Sequence, residues 1–370
     1  MHDVFEDLGT LELNKDNGNP SSIRILQITD LHFFPRECRT FEGIPLLDAH
    51  ARCLDLVNTM VLAERPDVII LTGDIIDGRG PWKSADRVVE IVQQMIPHFH
   101  GTPWAYIPGN HDDDHSPWTR EDLLQIIITL PGCIQRKARG FHHTILLSKQ
   151  TKISSSSSSS APLVTTKVRL HLFDSGGNHP NGKIMYYCTP STAIDGFTKV
   201  AQDRSGVEPD IVGLVYVHIP TPEYQGVDPI IGSNNLFEAA LRGGKIPHPL
   251  DKLVWLIKLL KKDRIAGCTR GKDSGLFPAL VHAKEQFASN IVAIFCGHDH
   301  HSDAIFWRRG IFLGYGRSGS MTPPYDWEGK APNPLRPGAR VAEVSTGGTV
   351  TTWIRNADGI ENDSMFDMVR

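Results

Sequence analysis

The sequence predicts an α/β protein. Five short runs rich in β-branched and aromatic residues have the length and composition of buried strands. These runs are IRILQIT (23–29), DVIILT (67–72), PWAYIP (103–108), IVGLVYVH (211–218) and NIVAIFC (290–296). Helical patterns separate several of the runs, and an alternation of strands with helices is typical of the α/β class.

Three helices are predicted in the first third of the chain, because their apolar residues recur three and four positions apart and so share one face. They cover residues 48–65, 84–96 and 120–130. The stretch 225–275 is the hardest to interpret: it holds one amphipathic helical pattern, HPLDKLVWLIKLLKKD, between polar and Gly-rich loops. We assign no chemistry to it.

Two hairpins are predicted in the second half of the chain. We predict two strands, FHHTILLS and KVRLHLFD, on either side of seven consecutive serines, Ser154 to Ser160. Serine cannot bury apolar surface, so we expect a mobile hairpin tip over residues 150–165. ARVAEVS and TVTTWIR predict another hairpin around Gly347 and Gly348.

These elements indicate one domain over residues 22–355. We expect residues 1–21 to be a short disordered lead, because this segment opens with acidic residues and never reaches an apolar stretch. Residues 356–370 are predicted to be a disordered tail. With 40% hydrophobic and 22% charged residues, the 370-residue chain is large enough for a sizeable catalytic core.

Composition excludes several classes of partner. The formal net charge of −4 gives no broad basic field, so nucleic acid is not expected to bind. No stretch approaches 18 consecutive apolar residues, so we expect neither a membrane-spanning helix nor a membrane partner. The six cysteines form no CxxC pair, which suggests reduced thiols in a cytoplasmic protein. Nothing indicates a particular protein partner.

Residue types that bind metal ions follow directly after the five predicted strands. They are Asp30 and His32, then Asp74, then Asn110 with His111, then His218, then His298 and His300. In open α/β sheets the functional crevice lies at the carboxyl ends of the strands. We therefore expect these side chains to meet at one edge of the core.

The chemistry of this set favours a pair of metal ions. Imidazole with carboxylate suits zinc, iron or manganese, and the absence of cysteine argues against a structural thiolate site. Asp74 has two oxygens and is best placed to bridge two cations, while Asn110 adds a neutral amide oxygen. Paired ions roughly 3.5 to 4 Å apart can lower the pKa of water to about 7 and so supply hydroxide as the nucleophile.

Several residues are candidates for a part in the reaction itself. His111 follows Asn110 and can protonate the leaving group as a general acid. Asp77, three residues after Asp74, is predicted to hold the His111 imidazole, with Asp112 as the rival for that role. Arg317 is a candidate for binding the substrate phosphate, a surface salt bridge being the alternative, and Asn110 is a second candidate for substrate binding.

Five motifs in this order resemble the conserved blocks of calcineurin-like metallophosphoesterases. They are DLH (30–32), GDIID (73–77), GNHD (109–112), the histidine of YVHIPTPE (216–223) and GHDH (297–300). The resemblance spans about residues 22 to 354. FDSGG (173–177) and GYGRSG (314–319) look like the eukaryotic branch related to purple acid phosphatases, whose members are often labelled "probable inactive".

This resemblance implies a four-layer αββα sandwich of two mixed sheets flanked by helices. It implies two metal ions, the first held by Asp30, His32, Asp74 and His300, and the second by Asp74, Asn110, His218 and His298. His111 would be the catalytic acid. True purple acid phosphatases have a tyrosine at the position of Asp77 and lack the histidine at position 32, so no purple iron-tyrosinate colour is expected.

The sequence therefore predicts a metal-dependent phosphoric ester hydrolase. A phosphomonoesterase acting on a phosphoprotein or a small phosphorylated metabolite is our leading hypothesis. A phosphodiesterase, including one for cyclic nucleotides, would use the same seven ligands and stays open. So does a catalytically silent scaffold that keeps its metals for folding or partner binding.

Overall fold

The computed structural model of the chain describes residues 5–13, 21–33, 45–77, 84–114, 118–152, 163–179, 186–225, 229–232, 274–321, 335–361 and 364–368. Residues 153–162 of the predicted serine-rich tip and the helical pattern within 225–275 lie outside these residues. The ends of the predicted tip, 150–152 and 163–165, belong to paired strands, so the tip is shorter than predicted. No helix in the described ranges combines the length and the apolar content needed to cross a bilayer.

Fourteen strands form within the described ranges. They are β1 (Glu6–Leu13), β2 (Ser22–Ile28), β3 (Val68–Leu71), β4 (Trp104–Tyr106), β5 (His143–Lys152), β6 (Leu163–Leu172), β7 (Val212–Tyr216), β8 (Ile291–Cys296), β9 (Ile305–Arg308), β10 (Ile311–Tyr315), β11 (Gly338–Ser345), β12 (Val350–Asn356), β13 (Gly359–Ile360) and β14 (Phe366–Met368). All five predicted core strands and both predicted hairpins are confirmed.

The helices of the described ranges are α1 (Leu46–Glu64), α2 (Ser84–Met95), α3 (Arg120–Ile127), α4 (Ser191–Asp203) and α5 (Leu276–Phe287). Short 3₁₀ helices cover Ile96–Phe99 and Pro222–Tyr224. The first three helices match the predicted segments, whereas α4 and α5 were not predicted. At the start of α3, Thr119 and Asp122 form a reciprocal capping box that satisfies free backbone N–H groups.

The strands build two mixed sheets. The first has the order β1-β5-β6-β7-β8-β10-β9, and the second has the order β13-β12-β11-β2-β3-β4, with β14 added beside β12. Parallel pairing joins β2, β3 and β4 in the second sheet and β6, β7 and β8 in the first. The carboxyl ends of the predicted core strands therefore point the same way within each sheet.

Successive side chains of each strand point to opposite faces of its sheet, and their packing partners show the order of the layers. On β2 and β3, Ile25 and Ile70 pack in the core between the sheets, together with Leu170 and Leu214 of the first sheet. Their chain neighbours point to the opposite face because the side-chain period of a strand is two residues. Leu26, for example, lies in a separate core against helices α1, α2 and α3.

The other outer face belongs to the first sheet. Helices α4 and α5 cover it, with Phe197 and Leu280 packed against Val215 and Ile294. The layers are thus helices, sheet, sheet, helices, which confirms the four-layer αββα sandwich. The thiols of Cys53, Cys133 and Cys296 are buried.

Both predicted disordered ends contain strands, so these two predictions were wrong. β1 lies inside the expected lead and pairs in parallel with β5, while the adjoining Phe5 packs against Phe173 and Phe197. β13 and β14 lie inside the expected tail and both pair with β12. These segments are too polar or too short to look like strands, and the edge of an existing sheet supplies their hydrogen-bond partners.

A buried ion pair fastens the two sheets together. Lys149 on β5 places its Nζ 2.8 Å from Oδ1 of Asp67, which directly precedes β3. Both side chains are almost completely buried, at 3% and 1% exposure. Lys149 also donates to the backbone oxygen of Ser22 at the start of β2.

Replacing Lys149 should expose the cost of burying the Asp67 carboxylate without its lysine partner. Lys149→Ala leaves the Asp67 carboxylate without that cation, and we expect a loss of about 3 kcal/mol in the free energy of unfolding. Urea denaturation measures this loss of stability. Lys199→Ala, on the exposed side of α4, is the matched control and should change stability by less than about 0.5 kcal/mol. Equal unfolding midpoints for the two variants would contradict this interpretation.

Candidate metal centre

The loops after the parallel strands of both sheets meet at one edge of the sandwich. The backbone N–H of Asp30 donates to the oxygen of Gly73, and that of His32 donates to the oxygen of Asp74, each at 3.0 Å. The loops after β2 and β3 therefore run side by side. Residues from the ends of β4, β7 and β8 complete the edge. They are Asn110, His111, His218, His298 and His300.

Glycine allows these loops to touch. A Cβ atom on Gly73 would lie 2.1 Å from the backbone nitrogen of Gly109, and one on Gly109 would lie 2.1 Å from Oδ1 of Asp74. A Cβ atom on Gly297 would lie 2.1 Å from Oγ1 of Thr29, across the gap between the sheets. Any larger residue would push the loops apart. Glycine therefore precedes Asp74, Asn110 and His298 because a Cβ atom at that position would clash with the neighbouring loop.

The first of two polar clusters contains Asp30, His32, Asp74 and His300. One ligand atom from each lies within 4.8 Å of all the others, and all four residues are buried. His32 Nε2 is 3.3 Å from Asp74 Oδ2, and His300 Nε2 is 3.2 Å from Asp30 Oδ1. Two carboxylates and two imidazoles are a donor set that zinc, manganese and iron accept.

The second cluster shares Asp74 and adds His218 and His298, again with ligand atoms within 4.8 Å of one another. His218 Nε2 lies 3.2 Å from the same Asp74 Oδ2. Oδ1 of Asn110 is 3.1 Å from His218 Nε2 and 2.8 Å from His298 Nδ1. With Asn110 included, each cluster offers four donors, and one carboxylate oxygen belongs to both. This set fits two cations.

The structure thus brings together all seven side chains that the sequence proposed as ligands. Four of them have left-handed backbones: Asp30 (φ 53°), His32 (φ 44°), Asp74 (φ 50°) and His298 (φ 74°). Positive φ is uncommon for residues other than glycine and costs on the order of 1 to 3 kcal/mol each. Such strain persists where surrounding contacts enforce it, and it concentrates at functional sites.

The carboxylates of both clusters are held in the charged form. Burial opposes the charge on Asp30, but the neighbouring His300 and His32 outweigh burial and keep the pKa of Asp30 below its ordinary value. Burial also opposes the charge on Asp74, yet His218 and other imidazoles beside it keep its pKa well below the usual range. Both groups are therefore ready to bind a cation near neutral pH.

The two imidazoles of the second cluster, those of His218 and His298, differ in pKa. Burial lowers the pKa of His298 to about 3, with help from the charge of His218, so its ring is neutral and offers a lone pair. Burial opposes the charge on His218, but the Asp74 carboxylate prevails and raises the pKa of His218 to about 9. A cation entering this cluster must displace a proton from His218, and its affinity will fall as the pH falls.

His111 lies on the turn that follows Asn110, beside the first cluster. Its backbone N–H donates to Oδ1 of Asp74 at 2.8 Å, and its ring centroid is 5.6 Å from that of His32. Its Nδ1 lies 2.5 Å from Oδ2 of Asp114. The side chain keeps 17% of its surface exposed, so a substrate can reach it.

Asp77 is not the carboxylate that contacts His111, and that prediction was wrong. Asp77 is fully buried, and its Oδ2 lies 3.8 Å from Nδ1 of His32. The cause is a parallel bridge between Phe33 and Ile76, which carries the following residue toward the first cluster. The carboxylate beside His111 is that of Asp114, three residues along the same turn.

Asp112, the rival for that role, organises the loop instead. It accepts hydrogen bonds from the backbone N–H groups of Ile75 and Gly109 and from the hydroxyl of Tyr106, each at 2.8 Å. These bonds join the loop after β3 to the loop after β4. Asp112 therefore supports the backbone of the clusters and does not face His111.

Arg317 is also placed differently from the prediction. Its side chain is 1% exposed, and its guanidinium pairs with the carboxylates of Asp303 and Glu361. Arg317 also donates to the backbone oxygen of Arg336. A guanidinium buried among these acceptors cannot bind a substrate. Arg317 instead links Glu361, beyond β12, to Asp303 in the loop before β9.

Asn178 and Asp114 were missed by the sequence analysis although both adjoin the clusters. Asn178 lies shortly after β6, and its amide contacts Asn110 and Asp114. The position of Asn178 after a core strand resembles that of the predicted ligands. For Asp114, the available signal was a spacing of three residues from His111 within a turn.

Comparison with known proteins is consistent with this geometry. The family model described as calcineurin-like phosphoesterase matches residues 23–302. Probable inactive purple acid phosphatase 29 of Arabidopsis thaliana is 24% identical over 310 aligned residues, covering 79% of this chain and 70% of that protein. An uncharacterized protein of Schizosaccharomyces pombe is 24% identical over 62% of this chain, which spans only 42% of that protein's length.

A solved structure shares the fold. A dimetal phosphatase from Danio rerio aligns with a TM-score of 0.56, covering 94% of this chain and 99% of that one. The two sequences are only 12% identical in this alignment, so the likeness concerns the fold alone.

The shared oxygen of Asp74 leads to a direct prediction about metal content. In Asp74→Asn the amide oxygen can take the place of Oδ1 and accept from the His111 N–H. The NH₂ group then occupies the position of the shared oxygen, Oδ2, and cannot bind a cation. We expect both ions to be lost, whereas His298→Asn should lose only the second. Elemental analysis after dialysis against manganese or zinc measures ions per chain.

The matched control is Asp203→Asn at the exposed end of α4, which should keep the wild-type metal content. If Asp74→Asn still holds two ions per chain, the shared-oxygen interpretation is wrong.

Proposed function

Because the chain belongs to the calcineurin-like phosphoesterase family, we propose that it hydrolyses phosphate esters at the two adjoining clusters. The observation that carries the proposal is the pair of four-donor sets around one oxygen of Asp74, with the partly exposed His111 beside them. Such a pair suits in-line displacement, which needs charge stabilisation at both the attacking and the leaving oxygen.

The proposed first metal site consists of Asp30, His32, Asp74 and His300, and the second consists of Asp74, Asn110, His218 and His298. Iron, manganese or zinc ions bound there would polarise the phosphoryl group and lower the pKa of water to about 7. The protein's own part is to keep two carboxylates ionised, to hold four imidazoles in fixed directions, and to limit the negative charge by using the neutral amide of Asn110.

His111 is the proposed general acid. Its hydrogen bond to Asp114 through Nδ1 fixes the orientation of the ring and leaves Nε2 as the nitrogen for a leaving-group oxygen. Its backbone N–H donates to Asp74, which ties the position of the proposed acid to that of the shared ligand. A proton delivered from this position would neutralise the departing alkoxide.

The substrate that we propose is a phosphate monoester, on a protein or a small metabolite. Support comes from the names of similar proteins: the zebrafish structure is a dimetal phosphatase, and a Saccharomyces cerevisiae relative, 26% identical over 55% of this chain, is named a phosphatase. Three Arabidopsis relatives carry the label "probable inactive". That label concerns those proteins, and in this chain every proposed ligand position holds a suitable donor.

Replacing His111 tests whether the site is catalytic. His111→Asn removes the proposed acid without removing a ligand, so kcat should fall by about 10² to 10⁴ while metal content stays unchanged. Hydrolysis of p-nitrophenyl phosphate, with manganese, zinc or iron added, gives the rate. The matched control is His282→Asn on the exposed face of α5, which should match the wild type.

Two other outcomes would overturn the proposal. Equal rates for wild type and His111→Asn would favour a silent scaffold. Faster hydrolysis of bis(p-nitrophenyl) phosphate than of the monoester would favour a phosphodiesterase.

A further inference from the structure

Asn178 connects the second cluster to the proposed acid. Its Nδ2 donates to Oδ1 of Asp114 at 2.7 Å and to the backbone oxygen of Asn110 at 3.0 Å. Its Oδ1 accepts from the side-chain Nδ2 of Asn110 at 3.1 Å. Both amide hydrogens and the amide oxygen of Asn178 are therefore engaged by residues of the site.

Two acceptors, the Asp114 carboxylate and the backbone oxygen of Asn110, set the direction of the bonds in this chain of contacts. Asn178 presents its NH₂ group to these two acceptors and its oxygen to the side-chain Nδ2 of Asn110. That oxygen accepts from the NH₂ group of Asn110, which turns the Asn110 oxygen toward His218 and His298. The two acceptors thus order both amides, and the Asn110 amide directs its oxygen at the proposed metal position.

The fold holds Asn178 in place through Arg120. The guanidinium of Arg120 pairs with Asp174 at 2.7 Å and donates to the backbone oxygen of Gly109 at 2.7 Å. A Cβ atom on Gly177 would lie 2.8 Å from Nη2 of Arg120. The loop after β6 is therefore fastened to the loop after β4 one residue before Asn178. The three contacts of Asn178 follow from this packing.

We propose that Asn178 is a positioning residue that orients the metal ligand Asn110 and the His111–Asp114 pair together; this inference rests on the proposed phosphoesterase function. Through Asn110 it keeps an oxygen, rather than an NH₂ group, directed at the second metal. Through Asp114 it keeps the carboxylate turned toward His111. Outer partners of metal ligands typically contribute about 10- to 100-fold to metal affinity or activity.

Two substitutions separate the two effects. Asn178→Ala removes all three hydrogen bonds, so both the second metal ligand and the acid pair lose their orientation. Asn178→Asp keeps the acceptor that orients the Asn110 side chain but loses both donations, to Asp114 and to the backbone oxygen of Asn110. The acid pair should therefore suffer, while the Asn110 side chain keeps its orientation. Asn58→Ala, which removes a side-chain contact to His100 away from the site, is the matched control.

Two measurements on the full-length protein decide between the outcomes. The first is equilibrium dialysis of the metal-stripped chain against Mn²⁺ alone. The second is the ratio of rates for p-nitrophenyl phosphate and ethyl phosphate. Ethoxide is the poorer leaving group and depends more on a proton donor, so disturbing the acid pair raises this ratio. A merely structural defect would lower both rates equally.

We expect Asn178→Ala to bind one of its two Mn²⁺ ions about 10-fold more weakly and to show a rate ratio raised about 10-fold. Asn178→Asp should bind Mn²⁺ like the wild type and show a similarly raised ratio. If Asn178→Ala matches Asn58→Ala in both measurements, the inference is wrong. If Asn178→Ala does not fold, Asn178→Asp decides it: an unchanged ratio overturns the inference.

Failure of the proposed function would be seen separately. If the wild type hydrolyses neither ester, the phosphoesterase proposal fails. The Mn²⁺ affinities of Asn178→Ala and Asn58→Ala then still test whether Asn178 positions Asn110, and equal affinities would reject that role.

Discussion

Oδ2 of Asp74 lies 3.3 Å from His32 Nε2 and 3.2 Å from His218 Nε2, so the two clusters are built around one atom. The other oxygen of this carboxylate accepts from the backbone N–H of His111, which fixes its rotation. The close contact between Gly73 and Gly109 brings the loops near enough for this bond to form. The direction of the shared oxygen thus depends on backbone packing as well as on the ligands.

The second constraint is that the centre spans two sheets. His218 follows a strand of one sheet, yet its Nδ1 hydrogen-bonds the backbone oxygen of Thr72 in the other at 2.7 Å. The backbone N–H of His298 donates to the carboxylate of Asp30, again from one sheet to the other. The ligands therefore share hydrogen bonds with the frame that joins the sheets. A change in sheet packing would alter the geometry of the proposed metal site, and loss of one of these side chains would weaken the contact between the sheets.

Much of this arrangement could be predicted from sequence because it depends on strand ends. Each proposed ligand follows an apolar run, and parallel strands deliver their carboxyl ends to one edge. The pairings of Asp77 and Arg317 could not be predicted, since they depend on which loops touch. Asp77 is drawn toward His32 by a bridge between Phe33 and Ile76, and Arg317 meets Glu361 from the far end of the chain. The strand β1 was missed because its polar sequence gains its partners only from an existing sheet edge.

The most direct test of the central claim is anomalous X-ray diffraction from crystals of the protein soaked in Mn²⁺, recorded at the manganese absorption edge. We predict two peaks roughly 3.5 to 4 Å apart, as in other two-metal sites, with Asp74 Oδ2 in contact with both. The first peak should lie among Asp30, His32 and His300, and the second among Asn110, His218 and His298. A single peak, or two peaks that do not share Asp74, would contradict the account.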